Sequence, residues 1–142
     1  MKKDPTRDYI INAFRLYALW GRPSSQEAEA RIYQQALNKY ENLEEDVSKI
    51  ELFVKKNKCK LDDIESVNKM LKILKTENRD YIINAIENVY FYAPNKDLRR
   101  NDITNRVRMY AQKCPASESS VYNWLRYARK ICAKERGLSV ED

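Results

Sequence analysis

The side chains best suited to chemistry lie near the carboxyl end of the chain, and they are polar or basic. Because residues three and four positions apart share one face of a helix, these side chains form a single polar stripe if the segment is helical. Lysine and arginine on such a stripe neutralise phosphates, while asparagine and arginine hydrogen-bond to base edges. The spacing therefore favours contact with a nucleic acid. The residues of this stripe are Ser119, Tyr122, Asn123, Arg126, Lys130 and Lys134.

Positive charge is concentrated in the same region. The whole chain carries 27 Lys and Arg residues against 21 Asp and Glu residues, a net charge of +6. Residues 95–138 alone hold eleven basic and four acidic residues, so the rest of the chain has a net charge of −1. A basic region attracts an anionic polymer, but many soluble domains carry a similar charge on a merely solvated surface. Charge by itself leaves both interpretations open.

The composition argues against an enzyme. The chain has no histidine, which excludes a Ser-His-Asp or Cys-His nucleophile and a histidine-ligated zinc site. Two glycines cannot build a glycine-rich phosphate loop. Cys59, Cys114 and Cys132 are too far apart in the chain for a paired-cysteine metal motif. We therefore expect no catalytic residue, no metal and no cofactor.

Cysteine usage and hydropathy favour a cytoplasmic protein. An odd number of scattered cysteines does not make a disulfide framework and fits a reducing compartment. No stretch of the sequence approaches the ~20 apolar residues of a membrane span. We expect a soluble protein without a membrane partner.

The abundance of helix-forming residues predicts an all-α fold. Glycine and β-branched alternation are scarce, while Leu, Lys, Glu, Asn and Ala are frequent. We expect a helical bundle or helical hairpin over residues 1–94, with the capacity to oligomerise, followed by a C-terminal helix-turn-helix over residues 95–142. Pro94 marks the boundary between the nearly neutral region and the basic one.

Local signals place the first two helices. The first should run from Asp4 to Trp20, with Asp4 as its N-cap and Pro5 at the first helical position, where a missing N–H costs nothing. Residues 21–23 should end it, and Ser24 or Ser25 should cap the next helix.

Heptad-like spacing then predicts one long helix over residues 33–54. A partner helix should begin at Asp62 or Asp63 and continue the spacing. The two helices could pair as an antiparallel hairpin within one chain, which the short loop favours, or in a coiled coil between two chains, which would make a homodimer. The apolar positions are Tyr33, Ala36, Tyr40, Leu43, Val47, Ile50 and Val54 in the first helix, and Ile64, Val67, Leu71 and Leu74 in the second.

One heptapeptide occurs twice. Residues 7–13 and residues 79–85 both read RDYIINA. The repeat is either a duplicated helix that docks twice or a coincidence of amphipathic helix chemistry. We expect similar structural roles for the two copies.

Two further helices with a short break between them are predicted near the carboxyl end. The first must stop at Cys114 because Pro115 disfavours a helical conformation in the residue before it. Ser117 is a natural N-cap for the second, and Gly137 can end that helix in the left-handed conformation. The expected core residues are Leu98, Ile103, Val107, Tyr110 and Ala111 in the first helix, and Val121, Leu125, Ala128 and Cys132 in the second.

A helix, a short break and a helix with a polar first turn are the parts of a helix-turn-helix, whose second helix enters the major groove of double-stranded DNA. Residues in its first turns would face bases or adjacent phosphates, and basic residues farther along would contact the backbone. Taken singly, Tyr122 and Trp124 are better explained as packing aromatics, and Cys114 and Cys132 as buried apolar groups. The expected base-side contacts are Ser119, Tyr122, Asn123 and Arg126, and the backbone contacts are Arg129, Lys130, Lys134, Arg106 and Arg108.

The last quarter of the chain resembles a known family. Residues 116–124 read ASESSVYNW and residues 126–138 read RYARKICAKERGL. This text is similar to the C-terminal helix-turn-helix of phage late-gene transcriptional activators of the RinA and ArpU type, which is itself similar to the sigma-70 C-terminal module. The resemblance implies activation of phage or prophage genes, with RNA polymerase as a further partner. It also implies that the recognition helix starts over Ser117 to Arg126, which adds Ser117 and Ser120 to the DNA contacts.

Two other functions remain open at this point. A phage DNA-packaging (terminase) small subunit also joins a helix-turn-helix to an oligomerising helical region. Alternatively, a helical adaptor could bind another protein through residues 33–54, with the basic end merely solvated.

Overall fold

The computed structural model describes residues 4–40 and 43–138, and within these ranges the backbone forms seven α-helices and no strand. The predicted all-α class is confirmed. No helix in the described ranges is long and apolar enough to cross a bilayer. The helices are α1 (Pro5–Leu19), α2 (Ser25–Lys39), α3 (Leu43–Lys56), α4 (Lys58–Thr76), α5 (Asp80–Val89), α6 (Asp102–Lys113) and α7 (Glu118–Arg136).

The ends of α1 and the start of α2 follow the local signals. The Asp4 carboxylate accepts a hydrogen bond from the Arg7 backbone N–H at 3.0 Å, and Pro5 occupies the first helical position. Gly21 then turns the chain with a positive φ of 81°, a conformation open to a residue without a Cβ. The Ser24 hydroxyl accepts from the backbone N–H of Glu27 at 3.1 Å and caps α2. These predictions are confirmed.

The single long helix predicted over residues 33–54 is wrong. Helix α2 ends at Lys39, and Tyr40 has extended backbone angles of φ −117° and ψ 112°. Helix α2 buries Ala28, Ile32 and Ala36, which recur every four residues, and of these only Ala36 belongs to the predicted seam. Tyr33 of that seam is 45% exposed.

The second half of the predicted seam belongs to α3, which packs against α2 and α4. Val47 remains 50% exposed, whereas Ile50 is buried. The side chain predicted at position 43 lies outside the described residues. The regular spacing of apolar residues therefore continues across the end of a helix. Two separate helices each supply apolar residues at positions that fit the same spacing.

Helix α4 begins at Lys58, so the predicted start at Asp62 or Asp63 is also wrong. One residue, Asn57, separates α3 from α4. Its side-chain N–H donates to the Phe53 carbonyl at 2.8 Å and satisfies an acceptor at the end of α3. Its own carbonyl accepts from the first turn of α4, so a longer linker is unnecessary.

Helix α4 is the centre of the fold. It packs most extensively on α7 and α1, and also on α2 and α5, so a hairpin of two long helices does not form. Its part of the predicted seam is buried inside the chain, with Ile64, Val67 and Leu74 fully inaccessible and Leu71 partly buried. The predicted core face of α7 is confirmed, since Val121, Leu125, Ala128 and Cys132 are all fully buried.

Helix α6 starts later than the apolar stripe predicted for it. Leu98 of that stripe precedes the helix and packs against the core from the loop. The chain turns at Asn101, which has a left-handed φ of 72°, and the Asp102 carboxylate accepts from the Arg99 backbone N–H at 2.6 Å. Leu98 therefore cannot share the helical periodicity. The buried members of the stripe are Val107, Tyr110 and Ala111.

The two copies of RDYIINA have similar structural roles, as expected. Both lie at the start of a helix, in α1 and α5. Ile10 and Ile82, at equivalent positions, are each 1% exposed, and Ala13 and Ala85 are both buried. Each copy thus contributes the same apolar positions to the core and leaves its tyrosine at the surface.

One hydrophobic core includes residues from both sides of Pro94. It contains, for example, Phe14 of α1, Val67 of α4 and Leu125 of α7. A boundary at Pro94 stays a prediction, and the shared core gives it a direct test.

We expect a fragment of residues 95–142 not to fold by itself. Without α1 and α4, the apolar face of α7 loses the surfaces that bury it, and so short a chain buries too little apolar area for stability. Far-UV circular dichroism during heating should show low helicity and no cooperative transition, whereas the full chain should unfold cooperatively. A sharp melting transition in the fragment would instead establish an independent domain.

Candidate nucleic-acid interface

The break before α7 has the predicted caps. Helix α6 ends at Lys113, with Cys114 as its C-cap and Pro115 next in the chain. The Ser117 hydroxyl accepts from the Ser120 backbone N–H at 3.0 Å and donates to the Ser120 hydroxyl at 2.8 Å. Gly137 closes α7 with a left-handed φ of 82°. Helices α6 and α7 are thus joined by a short, locally determined break.

The face of α7 opposite the core carries the predicted polar stripe. Ser119, Asn123, Arg126 and Lys134 are exposed, and Lys130 is partly buried. The Arg126 guanidinium donates to the Asn123 side-chain oxygen at 3.2 Å, which holds two potential base-reading groups side by side. The structure therefore leaves four residues of the stripe accessible, because the buried face of α7 determines how the helix is rotated.

Arg106, Arg108 and Arg129, which are predicted backbone contacts, bond to other parts of the protein. Arg106 donates to the Val89 carbonyl at 2.8 Å, at the end of α5, and its guanidinium lies 5.2 Å from the ring centre of Tyr92. Arg108 pairs with Glu118 at 3.8 Å, but both side chains are about half exposed, so the pair contributes little stability. Arg129 donates to the Tyr90 hydroxyl at 2.6 Å. Of these three, Arg108 is the most exposed to solvent.

The aromatic residues of α7 pack against the rest of the protein. Trp124 contacts Tyr81 of the second repeat copy edge to face, with ring centres 5.0 Å apart. The Tyr127 hydroxyl donates to the Glu77 carboxylate at 2.9 Å, and this hydrogen bond raises the pKa of Tyr127. Tyr122 is partly buried against the core. These contacts confirm the interpretation of Tyr122 and Trp124 as packing aromatics.

The carboxyl end of α7 is fixed by an ion pair. Arg136 donates to the Asp63 carboxylate of α4 at 2.7 Å, with both side chains largely buried. The Tyr9 hydroxyl of the first repeat copy donates to the same carboxylate oxygen at 2.7 Å. No local pattern in the sequence connects Arg136 to a residue in α4, so Arg136 does not stand out from the other basic residues of this region. This anchor was therefore missed.

The three cysteines differ in burial, and the buried one has a suppressed thiolate. Cys132 is buried with its sulfur 3.5 Å from the Ser66 hydroxyl, and burial raises the pKa of its thiol to about 11. Cys114 is partly buried and Cys59 is exposed. Residues 4–40 and 43–138 contain no group of cysteines and carboxylates that could hold a metal ion.

No protein-family model, curated protein or solved structure matches this chain. The case for a function therefore depends on the residues of α6 and α7 themselves.

The Ser117→Ala variant should lower the free energy of unfolding by about 1 kcal/mol, because the start of α7 loses its side-chain acceptor. Urea unfolding followed by circular dichroism measures this change. Ser119→Ala is the matched control, since Ser119 lies two residues away, is exposed and makes no capping bond; its effect should stay within about 0.5 kcal/mol. Equal losses for the two variants would show that the cap does not stabilise α7.

Proposed function

We propose that the protein is a helix-turn-helix regulator that binds double-stranded DNA by placing α7 in the major groove. The observation that carries this proposal is the accessible stripe of Ser119, Asn123, Arg126 and Lys134 on a helix whose opposite face is fully buried. An α-helix is about 10–12 Å across and fits a major groove about 12 Å wide. The groove can therefore receive this face without displacing the core.

The side chains divide into base-reading and phosphate-binding groups along the helix axis. Asn123 and Arg126 lie in the amino-terminal half of α7, and the amino-terminal part of a recognition helix is the part that meets base edges. Asparagine pairs well with adenine and arginine with guanine, so their mutual hydrogen bond suits neighbouring base pairs. Lys134 lies about 12 Å farther along the axis than Arg126, by 1.5 Å per residue, and suits a phosphate.

The positive charge of the C-terminal region also supports binding of DNA. The excess of basic residues belongs to residues 95–138, which contain α6 and α7. Binding to phosphates releases condensed counterions, so the affinity should fall steeply with salt concentration.

The regulatory role is supported by the resemblance of residues 116–138 to phage late-gene activators of the RinA and ArpU type. Activation of phage or prophage genes, sequence-specific binding and contact with RNA polymerase are part of this proposal. A two-fold dimer would then read two half-sites about one helical turn of DNA apart.

Arg126→Ala should weaken binding to duplex DNA about tenfold or more, because a bidentate base contact contributes about 1–3 kcal/mol. Lys134→Ala should weaken binding to all sequences alike and lower the slope of log K against log salt concentration by about one. Fluorescence anisotropy with a labelled mixed-sequence duplex, and with a sequence selected from a random pool, measures both effects.

Lys55→Ala is the control for loss of charge. Lys55 is exposed near the end of α3, a helix that does not touch α7. This variant should bind as the unmodified chain does. If the unmodified full chain fails to bind duplex DNA even at low salt concentration, the proposed function is wrong.

A further inference from the structure

Arg129 lies beside the exposed stripe of α7 in an unusual electrostatic setting. It is partly buried, and its guanidinium donates to the Tyr90 hydroxyl at 2.6 Å. Among the described residues no carboxylate pairs with Arg129, whereas Arg136 on the same helix has the Asp63 carboxylate at 2.7 Å. Within the part of the chain that the structure describes, this partly buried cation therefore has a neutral partner and no carboxylate.

Tyr90 cannot supply the missing negative charge. Burial raises the pKa of Tyr90 and outweighs the opposing effect of the Arg129 guanidinium, which lowers it. Tyr90 therefore keeps its proton at neutral pH. A desolvated charge without a counterion is unfavourable, and a guanidinium has five N–H donors, most of which the single bond to Tyr90 leaves available.

The Tyr90 side chain is held rigidly. It is 2% exposed, and its ring centre lies 5.4 Å from that of Phe14 in α1. Its backbone N–H donates to the Ile86 carbonyl at 2.8 Å at the end of α5. The hydroxyl is consequently fixed before any ligand arrives, so it orients the arginine with little further loss of conformational entropy.

Arg106 provides a contrast at the same end of α5. Its guanidinium donates to the Val89 carbonyl at 2.8 Å, and Val89 is the last residue of the helix. Carbonyls at a helix end carry partial negative charge and lack intrahelical partners, so this bond compensates both groups. Arg129 lacks an equivalent partner, which distinguishes an arginine available for a ligand from one that caps a helix.

We propose that Tyr90 is a positioning residue that holds Arg129 as a preformed clamp for a phosphate of the DNA backbone. This inference rests on the proposed function. Arginine binds phosphate through two parallel N–H donors, and a fixed guanidinium plane makes that geometry available. Arg129 lies three residues after Arg126, so the clamped phosphate would be next to the bases read by the stripe.

The test is the full-length Tyr90→Phe variant, which removes one oxygen and keeps the ring that packs on Phe14. We expect about five- to tenfold weaker binding to a labelled mixed-sequence duplex, because Arg129 is no longer held in place and must be ordered when the phosphate binds. The slope of log K against log salt concentration should fall by about one, since one phosphate contact is lost. Arg129→Gln should give the same loss of slope, and adding Tyr90→Phe to it should weaken binding no further.

Tyr110→Phe is the matched control. Tyr110 is also buried, but its hydroxyl lies 3.5 Å from the Tyr81 carbonyl and not beside Arg129. This variant should bind DNA with unchanged affinity and slope. Thermal unfolding of each variant establishes whether it is folded at the assay temperature. If Tyr90→Phe is unfolded there, the comparison rests on Arg129→Gln.

The outcomes separate this inference from the proposed function. If the unmodified chain binds and Arg126→Ala weakens binding, but Tyr90→Phe and Arg129→Gln bind normally with an unchanged slope, the clamp is wrong and the proposed function stands. The clamp is also wrong if these variants lower only the melting temperature. If the unmodified chain does not bind duplex DNA at low salt, the proposed function fails and the clamp fails with it.

Discussion

The rotation of α7 about its own axis determines which of its residues can meet a ligand, and that rotation is set by burial of one apolar face. Val121, Leu125, Ala128 and Cys132 are fully inaccessible, and α7 packs most extensively on α4. Complete burial of a valine or leucine side chain contributes about 1.5–3 kcal/mol. Turning the helix far enough to hide Asn123 and Arg126 would expose these apolar residues and place polar groups in the core, which is unfavourable on both counts.

The repeated heptapeptide supports the same helix from two directions. Each copy buries an isoleucine and an alanine, so each tyrosine is left where its helix borders α7. Tyr9 of the first copy reaches the Asp63–Arg136 ion pair at the carboxyl end of α7. Tyr81 of the second copy packs against Trp124 near the middle. The same local pattern thus produces two different contacts, because α1 and α5 approach α7 at different places.

Sequence reasoning succeeded where the determining chemistry is local. Each cap, at Asp4, Ser24 and Ser117, joins a side chain to a backbone N–H three residues later in the chain. Pro115 acts on the residue immediately before it. The core face of α7 also followed from periodicity, since one helix contains the whole pattern.

The failures arose where more than one element contributes to a pattern. The spacing over residues 33–54 looks continuous although the chain leaves the helical conformation at Tyr40. The partners of Arg129 and Arg136 could not be foreseen either, because they lie 39 and 73 residues away in the sequence. Such contacts depend on how complete helices pack, and no local residue type signals them.

The arginines of α7 have different partners at different points along the helix, and these partners determine where positive charge is left uncompensated. Arg126 is exposed and donates to the neutral amide of Asn123, while Arg129 is partly buried against the neutral hydroxyl of Tyr90. Arg136 is opposed by the Asp63 carboxylate, which cancels much of its field at a distance. The uncompensated charge of these three arginines therefore lies toward the middle of α7 and not at its carboxyl end. The partner that the fold places beside each guanidinium therefore determines whether that arginine is exposed, held by a neutral group or anchored in an ion pair.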